Sequence, residues 1–374
     1  MEEHIYKGKL TQFHRLKIAK KEELTKNTFS LEFEIPEHLK EKFEFEAGQF
    51  VSVKFQANGQ EVINDYSMTS APYERKIALA IKINSPESAA AQLSENYQEG
   101  DELWVSEPAG RFTLGSKPSE FRTIAGFAAG IGITPVLSHF KNILHNEPRT
   151  RLYLFFGNKN SEELIFRDEL DHLAEKYNNR LQIFYFYSRE KTANNFFHGR
   201  LDDKKLSLII NQILHLDDTD EESTIWDAVD EVLICGKGEM IRTLANACYH
   251  HGIPKKNIHF ELFEAFNDDI YPVEQEFPLI EDVKVEFNLL GTAYSTTLPD
   301  NKEKILQQLL IQKFPVPYSC KSGICGSCEC ILEEGEVELL ENEYLTEKEE
   351  MKGHILACMS IAKSRKIKLK FDLS

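Results

Sequence analysis

Along the first part of the chain, apolar and polar positions alternate or run apolar in short stretches. KIAKKEEL (17–24), TFSLEFEI (28–35), GQFVSVKF (48–55) and KIALAIKI (76–83) are separated by turn residues, a pattern of strands with one buried face. They predict an antiparallel β-barrel over residues 9–116. Near residue 120 the period changes. RTIAGFAAGIGITPVLSHFKNIL (122–144) reads as an apolar strand, a glycine-rich turn and an amphipathic helix. RLYLFFGN (151–158), LQIFYFYS (181–188) and DEVLICG (230–236) read as further strands, and SEELIFRDELDHLAEKY (161–177) as a helix. Alternating strands and helices predict a doubly wound α/β domain over 117–266. Residues 267–281, acidic and with two prolines, read as a linker. Over 282–374 follow the strands VKVEFNLL and AYSTTLP, a helix KILQQLLIQK, a cysteine-rich loop and a last strand KIKLKFDL.

Composition agrees with a multidomain protein. At 374 residues, 41% of them hydrophobic, the chain is too long for one core and has no low-complexity stretch. The opening MEEHIYKGKL lacks a signal-peptide pattern. The apolar run IAGFAAGIGITPVL is shorter than the ~20 residues a bilayer needs. The expectation is a cytoplasmic protein with no membrane association. A net charge of −17 argues against nucleic acid, which demands basic surface. The acidic stretch EEGEVELLENEYLTEKEE (333–350) reads either as a docking rim for a basic partner or as a solvated face.

Candidate chemistry concentrates in YSCKSGICGSCECIL. Cys320, Cys325 and Cys328 have the spacing C-x4-C-x2-C, and Cys358 lies further on. That is the plant-type ligand pattern for a [2Fe–2S] cluster. The alternatives are zinc, which usually takes paired ligands from two knuckles, and a disulfide, disfavoured in a reducing compartment. Gly323 and Gly326 let the loop curl around an anionic cluster. Cys330 begins the strand CIL and reads as a core cysteine. The loop resembles the plant-type ferredoxins over residues 282–374, which implies a β-grasp domain and a one-electron carrier.

Gly130 and Gly132, between an apolar strand and a helix with Pro135 in its first turn, suit a dinucleotide pyrophosphate. The alternative is a plain tight turn. AAGIGITPVLS, YFYSREKT, HGRLDDKK and LICGKGEM resemble the flavin-dependent ferredoxin–NADP reductase superfamily, with FGNKNSEELIFRDEL, NRLQIFYFYSRE and GRLDDKK the more specific part of the match. The resemblance implies that Thr134 touches the flavin–nicotinamide junction and that Cys235 and Gly236 border the nicotinamide. It implies that Ser188 and Arg189 hold the 2′-phosphate of NADPH, with Lys159 adding charge nearby and no acidic residue repelling it. Read alone, Cys235 is a buried strand cysteine and Arg189 a solvated arginine. NADPH is favoured, with NADH the alternative.

DYSMTS matches the same family's flavin motif from its aromatic onward. The resemblance places Tyr66 against the isoalloxazine, Ser67 near its N5, and Glu261 and Phe263 over it; PAGRFTL (108–114) fits the barrel closure. Ser67, Thr134 and Cys235 would be the catalytic residues. Two departures stand out. The family's phosphate-binding arginine is replaced by Asn64, and its second phosphate loop reads SPESAAAQ, leaving Ser88 and the backbone of Ala89 and Ala90. FAD is expected, with FMN the smaller alternative, and Lys82 or Arg111 could supply the missing cation.

The family thus implies an oxidoreductase that passes electrons from NADPH through flavin to a [2Fe–2S] cluster and on to an oxygenase component. The alternatives are a reductase for another ferredoxin-dependent enzyme, or an electron-transfer or redox-sensing protein with a weakened flavin site.

Overall fold

The computed structural model describes the chain except residues 1, 7–8, 214–224, 264–265, 267, 272–276, 290, 319–320, 322, 324–325, 343 and 372–374. It divides into two compact units: Met1–Glu2 with Gln12–Ala265, and Glu3–Thr11 with Phe266–Ser374.

Strand β1 (Glu2–Tyr6) precedes the first unit's sheet, in which β2 (Lys9–Thr25), β3 (Thr28–Glu34), β4 (Phe50–Ala57), β5 (Gln60–Ser67), β6 (Ile77–Lys82) and β7 (Glu102–Ser106) run in the order β5-β4-β7-β2-β3-β6. Its core pairings are antiparallel. Leu16, Ile18, Leu31, Phe33, Val51 and Val53 fill its interior, the alternation that the sequence showed. Helix α1 (Ala89–Asn96) starts behind Ser88, whose hydroxyl accepts from the Ala91 N–H at 3.2 Å.

The same unit carries a parallel sheet of β8 (Thr123–Ala129), β9 (Arg151–Asn158), β10 (Leu181–Tyr187), β11 (Val229–Gly236) and β12 (Ile258–Leu262), ordered β10-β9-β8-β11-β12. Helices α2 (Ile133–Asn146), α3 (Arg167–Lys176), α4 (Asp203–Gln212) and α5 (Gly238–His250) connect or flank its strands. The stretch expected as one helix over 161–177 is a 3-10 turn at Ser161–Glu163 followed by α3. Phe166 takes a left-handed conformation (φ 60°) that interrupts it, while Leu164 and Ile165 turn into the core.

Helix α2 ties barrel to parallel sheet. Ser138 donates to the Ser70 carbonyl at 2.6 Å, Lys141 to the Thr69 carbonyl at 3.2 Å, and the His139 Nε2–H to the Phe112 carbonyl at 2.8 Å. Burial pushes the His139 imidazole down to about 4, so it stays neutral near pH 7. At the other end of the sheet, buried Arg122 bridges Glu147 (2.6 Å) and Glu231 (2.8 Å). Burial opposes ionisation of Glu231, but His259, Arg122 and Lys117 outweigh it and hold the carboxyl down to about 2.

The second unit is a mixed sheet of β13 (Glu281–Leu289), β14 (Thr292–Asp300), β15 (Glu329–Glu334), β17 (His354–Leu356) and β19 (Lys366–Lys370), ordered β14-β13-β19-β15-β17. The short strands β16 (Val337–Leu339) and β18 (Ser360–Ala362) pair beside it. Helix α6 (Ile305–Ile311) buries Ile305, Leu306 and Leu309 in the same core as Val283, Val285 and Leu369. Within the segment read as a linker, Ile270 and Tyr271 are buried and Asp269 pairs with Lys304 at 2.8 Å. In the acidic stretch 333–350, Glu333, Glu334 and Glu338 lie 2.9, 3.1 and 2.9 Å from Lys368, Lys366 and Lys363.

Candidate functional site

The chain order in the parallel sheet reverses between β8 and β11. A crevice opens at such a switch point, beyond the strands' C-terminal ends, where open α/β sheets take ligands. Here the Gly130–Gly132 turn leads from β8 into α2, and Gly130 adopts φ 54°. A Cβ on Gly132 would lie 2.3 Å from the Cys235 carbonyl oxygen at the end of β11, so glycine is needed for the close approach. Thr134 is buried, its hydroxyl donating to the Ile131 carbonyl at 3.0 Å. The thiol of Cys235 is fully buried 3.6 Å from the Glu261 carbonyl; burial raises its pKa well above the usual thiol range and keeps it protonated. Gly236 follows at the strand's end.

Around this turn stand charges that sequence reasoning did not place there. Lys82, at the end of β6, puts its Nζ 3.9 Å from where a Gly130 Cβ would be. The same ammonium is 3.9 Å from Glu163, whose carboxylate accepts from Lys159 at 2.9 and 3.1 Å. Burial first, then the neighbouring charges of Lys159 and Lys237, lower the Lys82 pKa. Lys82 is thus directed at the nucleotide turn. Ser188 and Arg189 continue past β10, their backbone N–H groups bonding the Asn158 and Lys159 carbonyls at 2.9 and 2.8 Å. Arg189 is exposed. Glu190, next in the chain, accepts from the Ser161 N–H and hydroxyl at 2.6 and 2.9 Å, bonds that hold its carboxyl below the ordinary range.

On the barrel side, Ser67 ends β5 and donates to the Glu261 carboxyl at 2.9 Å. Phe263, just past β12, is exposed. Tyr66 is half-buried; its phenol accepts from the Asn64 amide at 3.3 Å, and burial pushes its pKa up to about 12. The Asn64 side chain is therefore engaged with its neighbour in the motif. Ala89 and Ala90 head α1, where first-turn N–H groups lack intrahelical partners. These residues fit a flavin: an aromatic face held neutral, a hydroxyl–carboxyl pair beside it, and a helix start for phosphate.

Of the four expected cluster ligands, Cys320 and Cys325 lie outside the described residues. Cys328 and Cys358 are brought together and buried. Their sulfurs accept backbone N–H bonds, Cys358 Sγ from Gly323 at 3.3 Å and Cys328 Sγ from Cys358 at 3.4 Å. Sulfurs so solvated suit thiolate ligands of an iron–sulfur cluster, whose charge such bonds offset. Gly323 and Gly326 adopt φ 73° and 65°, and a Cβ on Gly326 would come within 2.2 Å of the Tyr344 ring. Cys330 is fully buried in β15 opposite Ile355, a core residue whose thiol burial keeps protonated.

Comparison with known proteins accords with these sites. The oxidoreductase FAD-binding domain family matches residues 15–114, the oxidoreductase NAD-binding domain family residues 127–246, and the 2Fe-2S iron-sulfur cluster binding domain family residues 287–363. One component of the 1,2-phenylacetyl-CoA epoxidase of Escherichia coli (strain K12) is 29% identical, covering 97% of this chain and 99% of that protein. The ferredoxin reductase component of 3-ketosteroid-9-alpha-monooxygenase from Rhodococcus rhodochrous is 28% identical, covering 93% and 94%. Among solved structures, phthalate dioxygenase reductase is similar over 96% of this chain and 98% of that one, with a TM-score of 0.50 and 25% identity. The chain belongs to the flavin- and [2Fe–2S]-dependent reductases of the ferredoxin–NADP reductase superfamily. It is an NAD(P)H-dependent oxidoreductase with FAD-binding, NAD-binding and [2Fe–2S] domains. Among the described residues no helix is long and apolar enough to cross a membrane.

Proposed function

We propose that this chain is the reductase component of a multicomponent oxygenase, drawing electrons from NADPH and delivering them to an oxygenase resembling phenylacetyl-CoA epoxidase. The observation that carries the reading is the order of the three domains in one chain, matched end to end by a component of that epoxidase. Bound flavin supplies two-electron acceptance of a hydride and the cluster supplies one-electron transfer, chemistry that belongs to the cofactors.

The protein's own residues bind and orient. Ser67 and Glu261 meet at 2.9 Å where the barrel and the parallel sheet adjoin, next to the protonated Cys235, so the nicotinamide and flavin rings would face each other there. Thr134, with its hydroxyl on the Ile131 carbonyl, fixes the turn that presents Gly130 and Gly132 to the nucleotide. Ser188 and Arg189 lie where a 2′-phosphate would sit, and arginine's donor fork suits that group. Glu190 is drawn away onto Ser161. Cys320, Cys325, Cys328 and Cys358 hold the cluster. The test is reconstitution: with NADPH and the oxygenase components of a phenylacetyl-CoA epoxidase, the chain should support epoxide formation. Support of 3-ketosteroid hydroxylation instead, with no epoxide formed, would move the assignment to another oxygenase.

A further inference from the structure

The Gly130 turn carries its own anion. Glu163 projects from the 3-10 turn after β9, a turn held by the Asn160 side chain accepting the Glu163 N–H at 2.9 Å. Its carboxylate sits between two lysines of different origin: Lys159 from the parallel sheet at 2.9 and 3.1 Å, and Lys82 from the barrel at 3.9 Å. Lys82 in turn stands over Gly130. Lys237, at the start of α5, is a third ammonium near enough to depress Lys82. Two cations therefore flank one carboxylate beside the turn that takes the dinucleotide, with Lys237 close to one of them. The Glu163 side chain is 26% exposed and Lys82 30%, so water and a ligand can reach them.

We propose that Glu163 is a specificity-determining residue, a tethered carboxylate that occupies the Lys82–Lys159 pair until the pyrophosphate of the nicotinamide dinucleotide displaces it. The proposal rests on the nucleotide reading of the Gly130 turn. A diphosphate carries more charge than one carboxylate and presents several oxygens, so it can engage both ammoniums and the turn's N–H groups at once. Glu163 must then give up its lysines, and that competition weakens nucleotide binding. The carboxylate also keeps Lys82 and Lys159 from repelling each other in the free protein. A smaller anion competes less well, so the carboxylate screens the site against single phosphates.

The experiment measures binding to the FAD- and cluster-loaded protein by isothermal titration calorimetry, with NADP+ and with inorganic pyrophosphate as probes. Glu163→Gln, which keeps the shape and loses the charge, should tighten both by about threefold to tenfold, the range expected of partly exposed ion pairs acting together. An unchanged or weaker Kd for both probes in Glu163→Gln would overturn the proposal, because Glu163 would then only position the lysines. Lys82→Gln and Lys159→Gln separate the two layers. If each weakens NADP+ while Glu163→Gln fails to tighten it, the displacement idea falls and the nucleotide site stands. If neither lysine variant alters NADP+ binding, the nucleotide reading of this turn fails with it.

Discussion

The hydroxyl of Ser67, the last residue of a barrel strand, donates a 2.9 Å hydrogen bond to Glu261 on the outer strand of the parallel sheet. Two residues far apart in sequence thus meet where the barrel and the nucleotide sheet adjoin, with buried Cys235 touching the Glu261 carbonyl at 3.6 Å. Such a pair can order a hydride donor and acceptor only if both members are present. Hydrogen bonds to charged groups are worth roughly 1.5–3 kcal/mol, so Ser67→Ala and Glu261→Gln should each slow NADPH-driven flavin bleaching by about 10–100-fold. Anaerobic stopped-flow absorbance measures it. Full-speed bleaching in both variants would make the pair merely structural.

The expected cluster ligands differ from Cys330 in the bonds at sulfur. Cys328 and Cys358 accept backbone N–H bonds at sulfur, whereas Cys330 packs in a strand among apolar residues. Iron analysis should find two iron atoms per chain in Cys330→Ser, as in the unaltered protein, and loss of iron in Cys328→Ser and Cys358→Ser. Gly326→Ala should also lose cluster, since its Cβ would strike the Tyr344 ring at 2.2 Å in a left-handed conformation.

Nucleotide preference is expected to reside in Ser188 and Arg189. Arg189→Ala should cost about 10–100-fold in NADPH kcat/KM and leave NADH turnover nearly unchanged. Parallel steady-state measurements with the two nucleotides check it; equal losses would give the arginine a different task.

The flavin-motif resemblance sets Asn64 at the position of a phosphate-binding arginine, and its amide donates to the Tyr66 phenol. A neutral hydrogen bond nets about 0.5–1.5 kcal/mol and a charged one about 1.5–3. Asn64→Arg should therefore tighten FAD by about 5–30-fold in titrations of the deflavinated protein. No tightening would mean that the phosphate already has its cation.

Much of this architecture was legible because it is local. Period-two alternation in TFSLEFEI and the apolar strand before Gly130 each announce a strand, and β3 and β8 form there. The C-x4-C-x2-C spacing, likewise, is a property of one loop. What escaped was set by backbone exceptions and by long-range pairing. Nothing in SEELIFRDEL signals that Phe166 turns left-handed and delays α3. Lys82 and Glu163 share no sequence neighbourhood, so their meeting over Gly130 emerges only when the barrel packs on the parallel sheet. The pairs that Glu333, Glu334 and Glu338 of the acidic run make with Lys368, Lys366 and Lys363 likewise join residues further along the chain.

The central claim is that one chain takes electrons from NADPH at its flavin and passes them to its cluster. Anaerobic titration of the purified protein with NADPH, followed by visible absorbance, tests it most directly. Flavin and cluster bands should both bleach in the unaltered protein, and only the flavin band should remain to bleach in Cys328→Ser. A cluster band that persists in the unaltered protein after the flavin has been reduced by NADPH would contradict the account.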